Sequence, residues 1–364
     1  MPEEEIRALG EDCSAEFFRI VVESLADSFD TADAVAYERL MEAWLHRPPH
    51  VEPVIPERVD TVFVLSRVTL GSDIKITSVV LDAMKSRFPD ARIVLAGGRK
   101  SAELFAADRR VEHLEANYPR TGEVSHRVEF AHDLRRMLEG PHRIVVDPDS
   151  RMTQLGLIPA CEPERYFHFP SRTAGADSNE NLTSLTDNWL RAKFGKSGKA
   201  CIAPDPVEAD GERPWAAVSL GVGGNESKRV GGDFEARLIR SLGERSRTVW
   251  IDRGAGGEEA ARVTAAAHAS GIPERVSFWE GSFAGFASII AQSDLYVGYD
   301  SAGQHAAAAS RTRLATIFAG APSARFQQRW AAEGPETLID ADSLSPEAIL
   351  ERLACILPLT PDEL

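Results

Sequence analysis

The chain has 364 residues, 43% hydrophobic and 27% charged, which is too apolar for general disorder and long enough for two domains rather than one. Its 41 Lys and Arg against 56 Asp and Glu leave a formal net charge of −15, which opposes the phosphate neutralisation that drives nucleic-acid binding and weakens adhesion to anionic lipid. No apolar run approaches the roughly 20 residues that span a bilayer, and Cys13, Cys161, Cys201 and Cys355 have no Cys-x-x-Cys spacing, so the expectation is reduced thiols in the cytoplasm.

Residues 1–55 form an expected helical extension. Phe17, Phe18, Val21, Val22, Leu25 and Phe29 recur at helical spacing, a second helical stretch covers Tyr37–Leu45, and Pro48, Pro49, Pro53 and Pro56 end it. Acidic residues at its start (Glu3, Glu4, Glu5, Glu11, Asp12) disfavour a membrane-docking helix, leaving packing or a homodimer contact. From Thr61 short apolar runs alternate with amphipathic helices. Strands are expected at Thr61–Leu65, Ala91–Ala96, Val111–Leu114 and Arg143–Val146, and helices at Ile74–Phe88, Arg127–Leu138 and Asn181–Phe194. Gly195–Pro214, rich in Gly, Pro, Lys and Asp, is the expected boundary between domains at 56–200 and 201–345. The alternation then restarts, with strands at Trp215–Leu220, Thr248–Ile251, Val276–Phe278, Leu295–Gly298 and Leu314–Phe318. Helices fall between them, and a last helix near Pro346–Ile356 lies in residues 346–364. Such alternation implies parallel, doubly wound sheets with ligands at the carboxyl ends of the strands.

Four loops follow strands on that side. In the first, Asp73 stands at a helix start, where a carboxylate supports the macrodipole; as a general base it needs a reactive centre from the second domain. In the second, the Gly223-Gly224 amides suit phosphate and Lys228 adds a point charge for a diphosphate. The loop is neither Gly-x-Gly-x-x-Gly nor a Walker sequence, which counts against dinucleotide dehydrogenases and P-loop NTPases. The third, Asp252–Glu258, reads as a turn and a helix start. The fourth is Tyr299-Asp300-Ser301-Ala302-Gly303-Gln304-His305. Small residues there open a helix whose free N–H groups and positive dipole end suit pyrophosphate; Asp300 suits sugar hydroxyls, and His305 alone reads as a packing histidine. Asp147-Pro148-Asp149 has the spacing of a metal-binding Asp-x-Asp without a companion cluster, and no hydrolase elbow occurs.

In context, Asp300-Ser301-Ala302-Gly303-Gln304-His305, followed by small residues and the apolar Leu314–Phe318 strand, resembles the C-terminal signature of the ADP-heptose:lipopolysaccharide heptosyltransferase family, glycosyltransferase family nine. Asp73 with Thr77 and Phe88-Pro89-Asp90 resembles the family's first βα unit, and Lys228-Arg229 its Lys-Arg-Trp-Pro loop, here continuing Val230-Gly231. Ser72 intervenes between Gly71 and Asp73, where the family has Gly-Asp. The resemblance implies a GT-B fold: two Rossmann-like domains facing across a cleft, the acceptor on the first and a nucleotide-sugar donor on the second. It carries Asp73 to the catalytic base, and Gly223, Gly224 and Lys228 to the phosphate contacts. Glu258 falls near the nucleoside, Gly281 and Ser282 in a later donor loop, and Asp300, Ser301, Gly303 and His305 around pyrophosphate and sugar. The expected activity is inverting, metal-independent transfer of a sugar such as heptose from an ADP-linked donor to a small-molecule or glycan hydroxyl, with no cofactor. The rival readings are a nucleotide-sugar epimerase of the same architecture and a non-catalytic scaffold whose N-terminal helices bind a partner.

Overall fold

The computed structural model describes residues 51–119, 124–175, 178–222, 225–254, 256–321, 323–333 and 336–356. The expected helical extension before residue 51 lies outside them. The chain divides into two compact units. Among the described residues the first holds 51–102, 108–200 and Gln328–Trp330, and the second Glu103–Ala107, Cys201–Gln327 and 331–356.

The first unit is built on a parallel sheet of β1 (Thr61–Leu65), β2 (Arg92–Gly97), β3 (Val111–Glu115), β4 (Arg143–Asp147) and β5 (Tyr166–His168), ordered β3-β2-β1-β4-β5. The central strand β1, Thr-Val-Phe-Val-Leu, is buried at every position, as a strand covered on both faces must be. After it the chain forms α1 (Leu70–Ser72), a π-helical turn (Asp73–Thr77) and α2 (Ser78–Arg87) in succession. A π-helical turn carries one residue more than an α-helical one, and here it begins at Asp73. Helices α3 (Arg99–Glu103), α4 (Val124–Leu138) and α5 (Leu182–Phe194) follow. The last starts where Asn181 accepts from the Thr183 amide and stops where Gly195 turns left-handed at φ 66°.

The second unit carries β6 (Trp215–Ser219), β7 (Thr248–Asp252), β8 (Val276–Trp279), β9 (Leu295–Tyr299), β10 (Leu314–Phe318) and β11 (Glu336–Asp340), all parallel in the order β11-β10-β9-β6-β7-β8. Its helices are α6 (Phe234–Arg245), α7 (Gly257–Ala269), α8 (Phe283–Gln292), α9 (Ala302–Ser310), α10 (Ala324–Trp330, whose last three residues count with the first unit) and α11 (Pro346–Ile356). Val218, Ile251, Val297 and Ile317 of the sheet pack in one apolar core with Phe234 and Leu238 of α6, Val263 of α7 and Leu353 of α11. Both sheets have the doubly wound order, reversing direction between β1 and β4 and between β6 and β9. In sheets of this order the loops leaving the two strands at the reversal diverge, and ligands bind there. Among the described residues Cys161 and Cys355 are free thiols, and no helix is long and apolar enough to cross a membrane.

Candidate functional site

In the second unit the two loops at the reversal point are those after β6 and β9. The first passes through Gly223 and Gly224, which lie outside the described residues, to a 3₁₀ turn at Glu226–Lys228. The Asn225 side chain caps that turn, accepting from the Ser227 amide. Lys228 Nζ then donates to Asp300 Oδ2 at 2.7 Å across the gap between the loops and lies 5.8 Å from the centre of the Phe326 ring. Gln304 Nε2 donates to the other Asp300 oxygen at 2.6 Å, so both oxygens of this largely buried carboxylate are engaged.

Helix α9 begins at Ser301. The cap residue is extended, yet its side chain makes no capping bond, whereas Ser282, Ser323 and Asn181 all cap the helices they start. The first-turn amides of α9 thus keep their donors and the positive end of the helix dipole for another acceptor. Gly303 in that turn has a steric reason: a Cβ there would meet the Tyr296 hydroxyl at 2.1 Å. His305 is buried in α9.

The β6 loop is anchored from behind. Buried Glu235 accepts from Arg229 Nε at 3.1 Å and Arg262 Nη1 at 2.5 Å, and the Tyr299 hydroxyl reaches it at 3.3 Å while accepting from the Val230 amide at 3.3 Å. Arg262 also donates to the Leu220 carbonyl at 2.9 Å. The backbone on the far side of Lys228 is therefore tied to the core at Arg229 and Val230.

At the end of β7, Asp252 accepts from the Gly254 amide at 3.0 Å; burial raises its pKa, and the neighbouring Glu259 charge adds to the rise. Glu258 is exposed in the first turn of α7. Its neighbour Glu259 is the carboxylate turned toward the strand ends: a Cβ on Gly254 would meet it at 1.7 Å and one on Gly221 at 2.8 Å. Gly281 and Ser282 lie beyond β8. Ser282 caps α8 by accepting from Gly285, and its carbonyl accepts from Trp279 Nε1 at 2.9 Å.

In the first unit Asp73 is 1% exposed and takes four hydrogen bonds. Oδ1 accepts from the Arg67 amide at 2.7 Å and Thr77 Oγ1 at 2.9 Å; Oδ2 accepts from Ser66 Oγ at 2.8 Å and Ser101 Oγ at 2.9 Å. Burial raises its pKa and these donors offset part of the rise. In the Asp147–Asp149 triplet, Asp147 is buried against Ser150, Thr153 and Tyr166. Burial works against ionisation of Asp149, but Arg172 Nη1 at 2.8 Å, His168 and Arg67 together outweigh it and hold that carboxyl well below the usual range.

Lys228, Asp300, Ser301 and Gly303 thus lie at the carboxyl ends of the two central strands of the second sheet, with His305 in the first turns of α9. Asp252, Glu259, Glu235 and Tyr296 join them without having been singled out from sequence; the signal for the first two was an acidic residue at a strand end and the adjoining helix phase.

No protein-family model and no curated protein matches the chain. Solved structures do. The glycosyl transferase family 9 protein from Veillonella parvula is similar at a TM-score of 0.64 and 12% identity, covering 83% of this chain and 98% of that one. The E. coli heptosyltransferase WaaC, in complex with ADP-2-deoxy-2-fluoro heptose, gives 0.59 and 14% over 80% of this chain and 98% of that one. E. coli ADP-heptose LPS heptosyltransferase II gives 0.56 and 16% over 82% and 98%. At such identities the likeness is one of fold: the two parallel α/β sheets are those of GT-B glycosyltransferases.

Proposed function

We propose that this protein transfers a glycosyl group from a nucleoside-diphosphate sugar to an acceptor hydroxyl, with inversion and without a metal. The observation that carries the reading is the Lys228–Asp300 pair beside the uncapped N-terminus of α9, at the reversal point of a doubly wound sheet. As the glycosyl bond breaks, the leaving diphosphate gains negative charge. The Lys228 ammonium and the α9 amides are fixed donors for that charge, the role a divalent ion fills in Asp-x-Asp enzymes. Asp300 is drawn between Lys228 in the free protein and a sugar hydroxyl in the complex. Asp252 and Glu259 are suited to ribose hydroxyls, as acidic groups at the end of the second strand are in related sheets. An ADP-linked sugar is the favoured donor, since the WaaC structure that shares this fold holds one.

Asp73 is the proposed general base. It sits after β1 at the reversal point of the first sheet, and burial raises its pKa toward the range useful for accepting a proton. Because all four acceptor positions are filled, it takes the acceptor's proton only when a hydroxyl such as Ser101 yields its place. That same saturation favours a second reading, in which Asp73 organises the β1 loop and another group receives the proton. Incubation with ADP-, UDP-, GDP- and TDP-sugars, alone and with sugar acceptors, separates the functions: release of diphosphate that requires an acceptor supports transfer. Conversion of the donor alone supports an epimerase, and no consumption of any donor contradicts both.

A further inference from the structure

Directly beneath the α9 turn lies a group that the proposed chemistry has not used. Tyr296 of β9 is 0% exposed, and among the described residues its hydroxyl has no hydrogen-bond partner; nor does the buried Ser301 Oγ. The position of the hydroxyl is well defined. Cβ atoms on Gly298 and Gly303 would meet it at 2.3 and 2.1 Å, so it occupies the space those two glycines leave and touches the first turn of the helix. The Ser301 and Ser219 side chains lie close enough to ease its ionisation, but neither meets the geometry of a hydrogen bond to it. A buried hydroxyl without a partner costs folding free energy that a phenylalanine in the same space does not. Its presence is accounted for by a state in which it is paired.

We propose that Tyr296 is a positioning residue for the diphosphate cradle: when the donor seats on α9, the Tyr296 hydroxyl donates a hydrogen bond to Ser301 Oγ, and the Ser301 hydroxyl donates one in turn to a phosphate oxygen. The proposal rests on the nucleotide-sugar reading of the site. Two hydroxyls left unpaired in the free protein become a chain of two hydrogen bonds ending on the anion, each polarising the next. Gly303 is then required twice, once to let the helix backbone approach phosphate and once to clear the phenol.

The test is calorimetric titration of wild type, Tyr296→Phe, Ser301→Ala and the double variant with ADP, UDP, GDP and TDP, alongside the melting temperature of each free protein. The expected result is a Tyr296→Phe protein that melts no lower than wild type yet binds the preferred nucleoside diphosphate about 3- to 10-fold more weakly. In the Ser301→Ala background the second substitution should add nothing. Equal binding by wild type and Tyr296→Phe, additive losses, or a lower melting temperature for free Tyr296→Phe would overturn the assignment while leaving the cradle intact. A wild type that binds none of the four overturns the cradle as well.

Discussion

Lys228 Nζ and Asp300 Oδ2, 2.7 Å apart and 72 residues apart in sequence, close the mouth between the β6 and β9 loops with an ion pair. On the proposed reading Lys228 is the cation for a diphosphate, held in the free protein against a competing carboxylate. A nucleoside diphosphate bound in that way would have to take Lys228 from Asp300, and a sugar hydroxyl would then suit the carboxylate released.

Asp300→Asn should therefore separate the two halves of a donor. With the competing charge removed, free nucleoside diphosphate should bind as tightly as to wild type or tighter, while a nucleotide sugar loses the advantage of its sugar. Titration of the two ligands against both proteins measures this; a parallel loss for both would assign Asp300 to holding the loop.

Asp73→Asn should lower acceptor-dependent turnover about 10²- to 10⁴-fold with donor affinity unchanged, the usual effect of removing a positioned base. Near-normal turnover would remove Asp73 from the chemistry.

The same substitution has a pH signature in stability. A carboxyl whose folded pKa is raised binds its proton more tightly in the native state, so native stability falls as pH rises from the usual carboxylate range through the raised pKa. Asp147 and Asp252 are raised by burial as well, so the informative quantity is the difference between proteins. The melting temperature of Asp73→Asn relative to wild type should climb as pH rises from 4 toward neutrality, on the order of the carboxylate window. A flat difference would mean that Asp73 is not raised.

Glu235→Ala leaves Arg229 and Arg262 without their shared carboxylate. Losing one member of such a largely buried set should cost about 3 kcal/mol of stability, read by denaturant unfolding. Glu235→Gln, which keeps the shape and some of the hydrogen bonds, should cost less and chiefly weaken donor binding through the Lys228 loop. Equal stability of all three proteins would show that the anchor carries no energy.

Much of the fold was legible because its central strands are continuous apolar runs. Thr61–Leu65 and Leu314–Phe318 read as buried strands and are buried at every position. The helix from Asn181 to Gly195 announces its own cap and stop. The strands Tyr166–His168 and Glu336–Asp340 did not stand out: the first is three residues long, and the second carries an acid at each end. At the site, Lys228 and the α9 turn could be read from chemistry and position. The Lys228–Asp300 bond could not, since pairing across two βα units is a product of the fold. Glu258 and Glu259 are equivalent in sequence until helix phase turns one to solvent and the other over Gly221 and Gly254. Tyr296, set between Leu295 and Val297, reads as one more core aromatic; only the missing partner for its hydroxyl distinguishes it. Asp73 was identifiable by place, but its donors come from Ser66, Arg67, Thr77 and Ser101, and nothing local announced that all four would converge on it.

The most direct test of the nucleotide-sugar reading is the affinity of wild type and Lys228→Met for ADP, UDP, GDP and TDP by calorimetric titration. The account predicts that wild type binds one of them, ADP foremost, and that Lys228→Met binds it about 10- to 100-fold more weakly, the worth of a charge-assisted contact. Wild type that binds none of the four, or a variant that binds as tightly as wild type, would contradict it.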